Sequence, residues 1–473
     1  MKCSLALLAL LSASAASAQE PARGAPPDAP DPILEGLVQD ALTHRPELAQ
    51  SSTAVEAERE RVPQAGAMPD PMFQVGIQND GFKEIQIGKM ETSYLSFMLT
   101  QPFFFPGKRG LRGEVARLGA DQAEAAVARM RLSVEAEVRR AYLDLLLARD
   151  QLALLARTEA LWLQSEKAAR ARYAVGEGAQ SDLLRAQLER MRLRQQRLAL
   201  EAQERTRVQE LNRLRHRPLA EPIPTVRRIR DLADPALPPV AEALADAEAR
   251  TPELAQAQLA QAQAEKRVAL ARREKLPDFT VSAGVMARGE LDPMWQLSLG
   301  VTLPVWSGQK QNRAVAESAA RARGSAHGEM AVRDLVRLRT EERLALLASA
   351  RETVKLYRQE LLVQSEAMAT STLGQYQTGR IPFASVLDGL NTWLATQGGF
   401  LDAVAQLQRL GIAQRELSLE APGGAGGGMA TGPVPGAGGG MGGQKAMGGG
   451  ASVSQGAPAP AEESGGAATS GGM

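Results

Sequence analysis

The chain has 473 residues, a formal net charge of +1 and only 4% aromatic residues. Its length allows two or more domains, and the balanced charge gives no reason to expect a nucleic-acid partner. The single cysteine, Cys3, lies at the extreme N-terminus, which leaves the rest of the chain without disulfides, zinc thiolates or a thiol nucleophile.

Residues 1–18 (MKCSLALLALLSASAASA) place Lys2 before an apolar core from Leu5 to Leu11 and an A-x-A site at Ala16–Ala18. This is the pattern of a secretory signal peptide. Cys3 falls inside it, too early for a lipid-attachment cysteine. Residues 19–32 are a Pro/Ala-rich leader without expected structure. No later segment is an uninterrupted apolar run of about 18 residues, so no membrane-spanning helix is expected. Residues 421–473 form a Gly-rich tail that cannot bury a core. Its methionines, Met429, Met441, Met447 and Met473, carry thioethers that could bind Cu(I), but a solvated low-complexity tail explains them more simply.

Between leader and tail the chain repeats itself. HRPELAQ at 44–50 returns as RTPELAQ at 250–256, and MPDPMFQV at 68–75 returns loosely as LPDFTV at 276–281. LTQPFFFPGKR at 99–109 returns as VTLPVWSGQK at 301–310, and YAVGEGAQSDLL at 173–184 as YQTGRIPFASVL at 376–387. Four landmarks in one order, each roughly 200 residues apart, predict a duplicated unit. The repeats are expected at 33–220 and 240–420, joined by a Pro-rich linker at 221–239.

Each copy reads as a helix, two strands, a very long helix, a turn and another long helix. From about Arg109 to Val175 there is no proline, and the segment is rich in strong helix formers. About 65 helical residues reach about 100 Å, far beyond what a compact domain requires. Val134, Val138, Ala141, Leu145, Ala148, Leu152, Leu155 and Trp162 recur at spacings of four and three, with Glu159 as the polar break. That is a coiled-coil seam. The second copy carries Leu387, Leu390, Leu394, Leu401 and Val404, interrupted by Gln397.

The strands are expected at 72–78, 93–103, 279–286 and 295–303. Each alternates an apolar face with a small polar one. Phe73, Val75 and Ile77 oppose Gln74, Gly76 and Gln78, and Trp295, Leu297 and Leu299 oppose Gln296, Ser298 and Gly300. A half-buried soluble sheet also alternates, but its solvent face normally carries Lys and Glu. Gln, Ser, Thr and Gly suit a water-filled lumen instead. Phe103, Phe104, Phe105 and Trp306 gather at strand ends, where the aromatic girdle of a membrane barrel would lie. Four strands cannot close a barrel, so copies must combine: two would give about eight strands and a filled interior, three about twelve and a passage. The small lumen-facing residues favour three.

The duplicated plan, PELAQ in both copies, FPGKRGLRGEVA at 105–116 and the turns YAVGEG and YQTGRI resemble the TolC-type outer-membrane efflux channels, over about 33–420. The FPGKR form is most similar to the branch serving heavy-metal efflux pumps. The resemblance implies a fold that is mostly α with a membrane β-barrel, in a homotrimer with a long periplasmic helical tunnel. It also implies a periplasmic adaptor and an inner-membrane pump as partners, in efflux or type I secretion. By resemblance, the turns with Gly176 and Glu177, and with Gly379 and Arg380, form the tip that meets the adaptor. Tyr376 and Asp182 match a network that holds the entrance shut. The arginine of that network has no clean match, because Ile381 occupies its place with Arg380 beside it. Asp388 matches one acidic ring of the entrance, while Ser385 stands where a second aspartate is usual.

The three histidines, His44, His216 and His327, are dispersed, and no catalytic, metal or cofactor constellation is singled out. The competing reading is an exported coiled-coil scaffold or adaptor with a small soluble sheet and no barrel.

Overall fold

The protein was analysed as a computed structural model that describes residues 31–420. The signal peptide, the leader before Asp31 and the Met-bearing tail lie outside the described residues.

The first helix, α1 (Pro32–His44), starts inside the stretch expected to be unstructured. Asp31 accepts the Ile33 N–H at 3.0 Å and the Tyr142 hydroxyl at 2.8 Å, so one carboxylate caps α1 and ties it to the long helix. Pro32 at the first helical position loses no bond, because that N–H has no partner within the helix. Arg45 is then extended and α2 (Pro46–Gly66) begins. The cause is local: a proline ring disfavours helical backbone at the residue before it. The second repeat breaks in the same way. There α5 (Val240–Arg250) ends at extended Thr251, and α6 (Pro252–Arg273) starts on a proline. The single opening helix expected in each copy is therefore two.

Strands β1 (Met72–Gln78) and β2 (Tyr94–Phe103) are followed by α3 (Lys108–Ala174), 67 residues long, and α4 (Gln180–Leu214). Residues 221–239 cross back over α3. Their short 3-10 turn at Ile229–Asp231 is held by the Ile229 N–H, which donates to Asp150 at 2.8 Å. Burial pushes the Asp150 carboxyl above its usual range, and this hydrogen bond opposes the shift. After α6 come β3 (Asp278–Arg288), β4 (Leu291–Thr302) and α7 (Gln311–Leu356). A π-helical turn (Tyr357–Leu361), α8 (Leu362–Gln377) and α9 (Phe383–Glu416) complete the described chain.

The four strands form one antiparallel sheet in the order β1-β2-β3-β4, so the two repeats meet at the β2–β3 pair. The register turns the alternation of each strand into rows. Phe73, Leu99, Ala283 and Leu297 face one another across the sheet, and so do Val75, Phe97, Val285 and Trp295. Met72, Thr100, Ser282 and Ser298 form a row on the other face, where Thr100 Oγ1 and Ser282 Oγ lie 2.9 Å apart. One face is thus apolar and exposed across four strands, and both edge strands lack a partner among the described residues. Gln101 is the amide on the apolar side, and its Nε2 turns back to the carbonyls of Pro69 and Pro102.

The helical core fills the space between α3, α4, α7, α8 and α9. Val134, Val138, Ala141, Leu145, Ala148, Leu155 and Trp162 are buried along α3, and Leu152 is half-buried. Each buried Val, Leu or aromatic contributes about 1.5–3 kcal/mol. This summed burial, more than intrinsic propensity, holds so long a helix against its neighbours. At the end of α9, arginines from α3 and α7 grip the chain. Arg129 and Arg140 bind Glu416, while Arg343 donates to the Ser418 carbonyl. Burial lowers the pKa of the enclosed Arg343 to about 10.

Candidate functional site

The helix ends expected at the tip are built alike. At the end of α3, Gly176 adopts a left-handed φ of 80°; its N–H donates to Tyr173 O at 3.1 Å and the Glu177 N–H to Arg172 O at 2.9 Å. At the end of α8, Gly379 has a φ of 73°; its N–H donates to Tyr376 O at 3.0 Å and the Arg380 N–H to Gln375 O at 2.9 Å. Both are Schellman caps, which satisfy the last helical carbonyls and require a residue that tolerates positive φ.

Between the turns sits Tyr376. It is 2% exposed, and its ring packs edge-on against Phe383 at 5.2 Å between centroids. Phe383 in turn meets Trp162 at 6.5 Å, which links the tip to the core of α3. The Tyr376 hydroxyl donates to Asp182 in the first turn of α4, over a long 3.4 Å. Burial and the Asp182 charge raise the phenol above its ordinary pKa, so it stays a neutral donor.

The cation of the cluster is Arg172, in the last turns of α3. Its Nη1 donates to Tyr376 O at 2.8 Å, its Nη2 to Glu177 O at 3.3 Å, and its guanidinium lies 5.0 Å from the Tyr376 ring centroid. One side chain therefore grips both turns. Arg380, the expected neighbour of the missing arginine, is exposed; its backbone closes the cap, and its side chain makes no hydrogen bond or ion pair among the described residues. Ile381 packs against the apolar core, which explains why no charge stands there. Asp388 is exposed on α9 without an ion pair among the described residues, and Ser385 is half-buried. Spacing along the chain could not have found Arg172, whose partner lies 204 residues away. The available hint was only a guanidinium within one helical turn of a capping glycine.

Two more contacts staple the hairpins behind the tip. Glu166 on α3 pairs with Arg190 on α4 at 2.5 Å, and that bond holds its carboxyl below the usual range. Arg157 on α3 reaches Glu366 on α8 at 3.4 Å and lies 5.7 Å from the Trp393 ring.

At the other end of α3, the FPGKR stretch joins helix to sheet. Gly107 has a φ of 91° as the N-cap of α3. Lys108, the first residue of α3, is 2% exposed: its Nζ donates to Leu276 O and to Asp278, each at 2.8 Å. Asp278 also accepts the Phe105 N–H at 2.8 Å, so this ion pair ties the repeats together at the foot of β3. Phe103 pairs with Phe279 across the sheet, and Phe105 stacks on Phe279 at 6.4 Å. Phe104 lies under the Arg112 guanidinium at 4.1 Å, and Trp306 is 75% exposed just beyond β4.

Residues 37–215 match the model of the family described as outer membrane efflux protein. Solved structures share the fold of this chain over 82% of its length. CusC, described with its transmembrane channel formation, is 17% identical over 92% of its own chain, with a TM-score of 0.70. The outer membrane protein VceC of Vibrio cholerae is 16% identical over 96% of its chain, with a TM-score of 0.67. The open state of the MtrE outer membrane channel of Neisseria gonorrhoeae is 18% identical over 89% of its chain, with a TM-score of 0.68. No curated protein matches the chain closely enough to count as a relative. No helix among the described residues is long and apolar enough to cross a membrane.

Proposed function

We propose that three copies of this chain close a twelve-stranded barrel and form a passive exit duct through the outer membrane, gated at the tip of its helical tunnel. The observation that carries this is the sheet: four strands, one apolar face and two unpaired edges. Lipid does not tolerate open strand edges, so β1 must pair with β4 of a neighbouring copy. A second surface fits the same assembly. Leu184, Leu188, Met191 and Leu198 form an exposed stripe on α4 at coiled-coil spacing, suited to a neighbour's helix. The duct does no chemistry of its own. A periplasmic adaptor docks on the turns with Gly176, Glu177, Gly379 and Arg380, an inner-membrane pump loads it, and Asp388 from each copy rings the entrance.

Arg172, Tyr376 and Asp182 hold the tip closed, and the adaptor opens it by binding the open arrangement more tightly. Two measurements test this reading. Native mass spectrometry of protein extracted from outer membranes is expected to give three times the mature chain mass; a monomer confined to the soluble periplasm would establish the coiled-coil scaffold instead. Asp182→Ala and Tyr376→Phe are each expected to raise single-channel conductance. Unchanged conductance in both would remove the gate assignment.

A further inference from the structure

The face of the sheet opposite the apolar one carries an anomaly. In the paired ladder up to the bulge after Met286, that face holds Gln, Ser, Thr and Gly with Tyr94, Pro102 and Asp278, and not one Val, Ile, Leu or Phe. It nevertheless holds every methionine of the four strands: Met72, Met98, Met286 and Met294. The apolar face has none. Hydrophobic sorting alone would send Met to the lipid side with Leu and Val, because a thioether side chain is as costly to leave in water as they are. The aliphatic residues obey that sorting without exception, and the thioethers reverse it. What separates Met from Leu at similar volume is the sulfur atom.

Three of the four sulfurs can meet. Met286 stands directly opposite Met294, a position that brings Cβ atoms to about 4.5–5.5 Å. Met98 is paired with Gly284, two residues along from Met286, which makes Met98 and Met286 diagonal neighbours at about 7–8 Å. Gly284 has no side chain to fill the space between them. A Cβ there would lie 2.9 Å from Phe97 O and 3.5 Å from the Met98 Cβ. Each methionine has three rotatable bonds, enough to bring sulfurs from adjacent strands onto one centre. Thioethers are soft, neutral ligands that select Cu(I) and related cations over hard divalent ions. Three of them supply no counter-charge, so the site holds its ion loosely. In a conduit an ion must leave as readily as it enters.

We propose that Met98, Met286 and Met294 form a thioether site on the lumen face of the barrel, which takes up a soft monovalent cation of the Cu(I) class in transit. The proposal rests on the channel reading, which makes this face the lumen. The test uses the full-length protein in detergent, titrated with Ag(I) as a redox-inert probe and compared with the M98L/M286L/M294L variant. Leucine preserves volume and apolarity and removes only sulfur. Each chain of the variant is expected to bind about one equivalent less than wild type, as a single three-thioether centre requires, while M429L/M441L/M447L keeps that equivalent. Equal Ag(I) binding by wild type and the barrel variant, both still trimeric by native mass spectrometry, would overturn the thioether site and leave the channel standing. Loss of the trimer in wild type would instead overturn the channel reading, and the site with it.

Discussion

The two helical hairpins share one plan and differ in continuity. In the first repeat α3 runs 67 residues without interruption. In the second, the corresponding path is broken into α7, a π-helical turn at Tyr357–Leu361 and α8. None of the five residues of the π-turn is buried, and Arg358 within it pairs with Asp234 of the crossing segment at 3.1 Å. Opposite lies Gly399 on α9, where a Cβ would come within 2.6 Å of the Tyr357 hydroxyl. The Tyr357 ring rests on Phe400 at 6.3 Å. One hairpin is thus a continuous rod, and the other has a local widening with a glycine to receive it. Such widenings concentrate at functional sites. Arg172 of the unbroken hairpin donates to Tyr376 O of the interrupted one, so the proposed latch joins a continuous arm to an interrupted one.

Removing the latch should break the comparison most strongly. Hydrogen bonds from a charged donor are worth about 1.5–3 kcal/mol, and Arg172 is partly exposed, so the low end applies. Arg172→Ala is expected to raise the open-to-closed ratio about tenfold, read as single-channel open probability. The effect should exceed that of Tyr376→Phe, whose lost bond is long at 3.4 Å. An open probability equal to wild type would mean that Arg172 is only a cap.

The π-turn is sharpened by a sign reversal. Gly399→Ala gains up to about 1 kcal/mol of helix propensity but forces the Tyr357 hydroxyl aside at a cost of about 1–3 kcal/mol. It should lower the thermal midpoint in the wild-type background and raise it in the Tyr357→Phe background. The same sign in both backgrounds would show that the ring and the glycine are not coupled.

The smallest effect compares the capping glycines. Gly176→Ala and Gly379→Ala each force a Cβ into left-handed backbone, at about 1–2 kcal/mol. Nothing lies within 4 Å of a Cβ at Gly176, whereas one at Gly379 would sit 3.3 Å from Arg172 Nη2. Hydrogen exchange at Glu177 and Arg380 should speed up about tenfold in the respective variants. Only Gly379→Ala should also change conductance, and equal conductance changes in both would separate the latch from the second turn.

Much of this architecture is written in short-range signals. Pro46 and Pro252 end the helices before them, Gly176 and Gly379 end α3 and α8, and the alternation of Phe73, Val75 and Ile77 marks a strand with one apolar face. These features depend on neighbours within a turn or a pleat, so they are legible residue by residue. Tyr376 and Asp182 were also within reach, through the resemblance of the turn motifs to those of the efflux channels.

Contacts between distant segments were decided only in three dimensions. Lys108 is buried because Asp278, 170 residues away, arrives beside it. Arg172 meets Tyr376, 204 residues away, only because α8 lies alongside α3. Met98 and Met286 belong to different repeats, and only the β2–β3 register makes them neighbours. Local sterics and hydrophobic period set what each segment becomes, whereas charge partners and clustered ligands depend on which segments the packed core brings together.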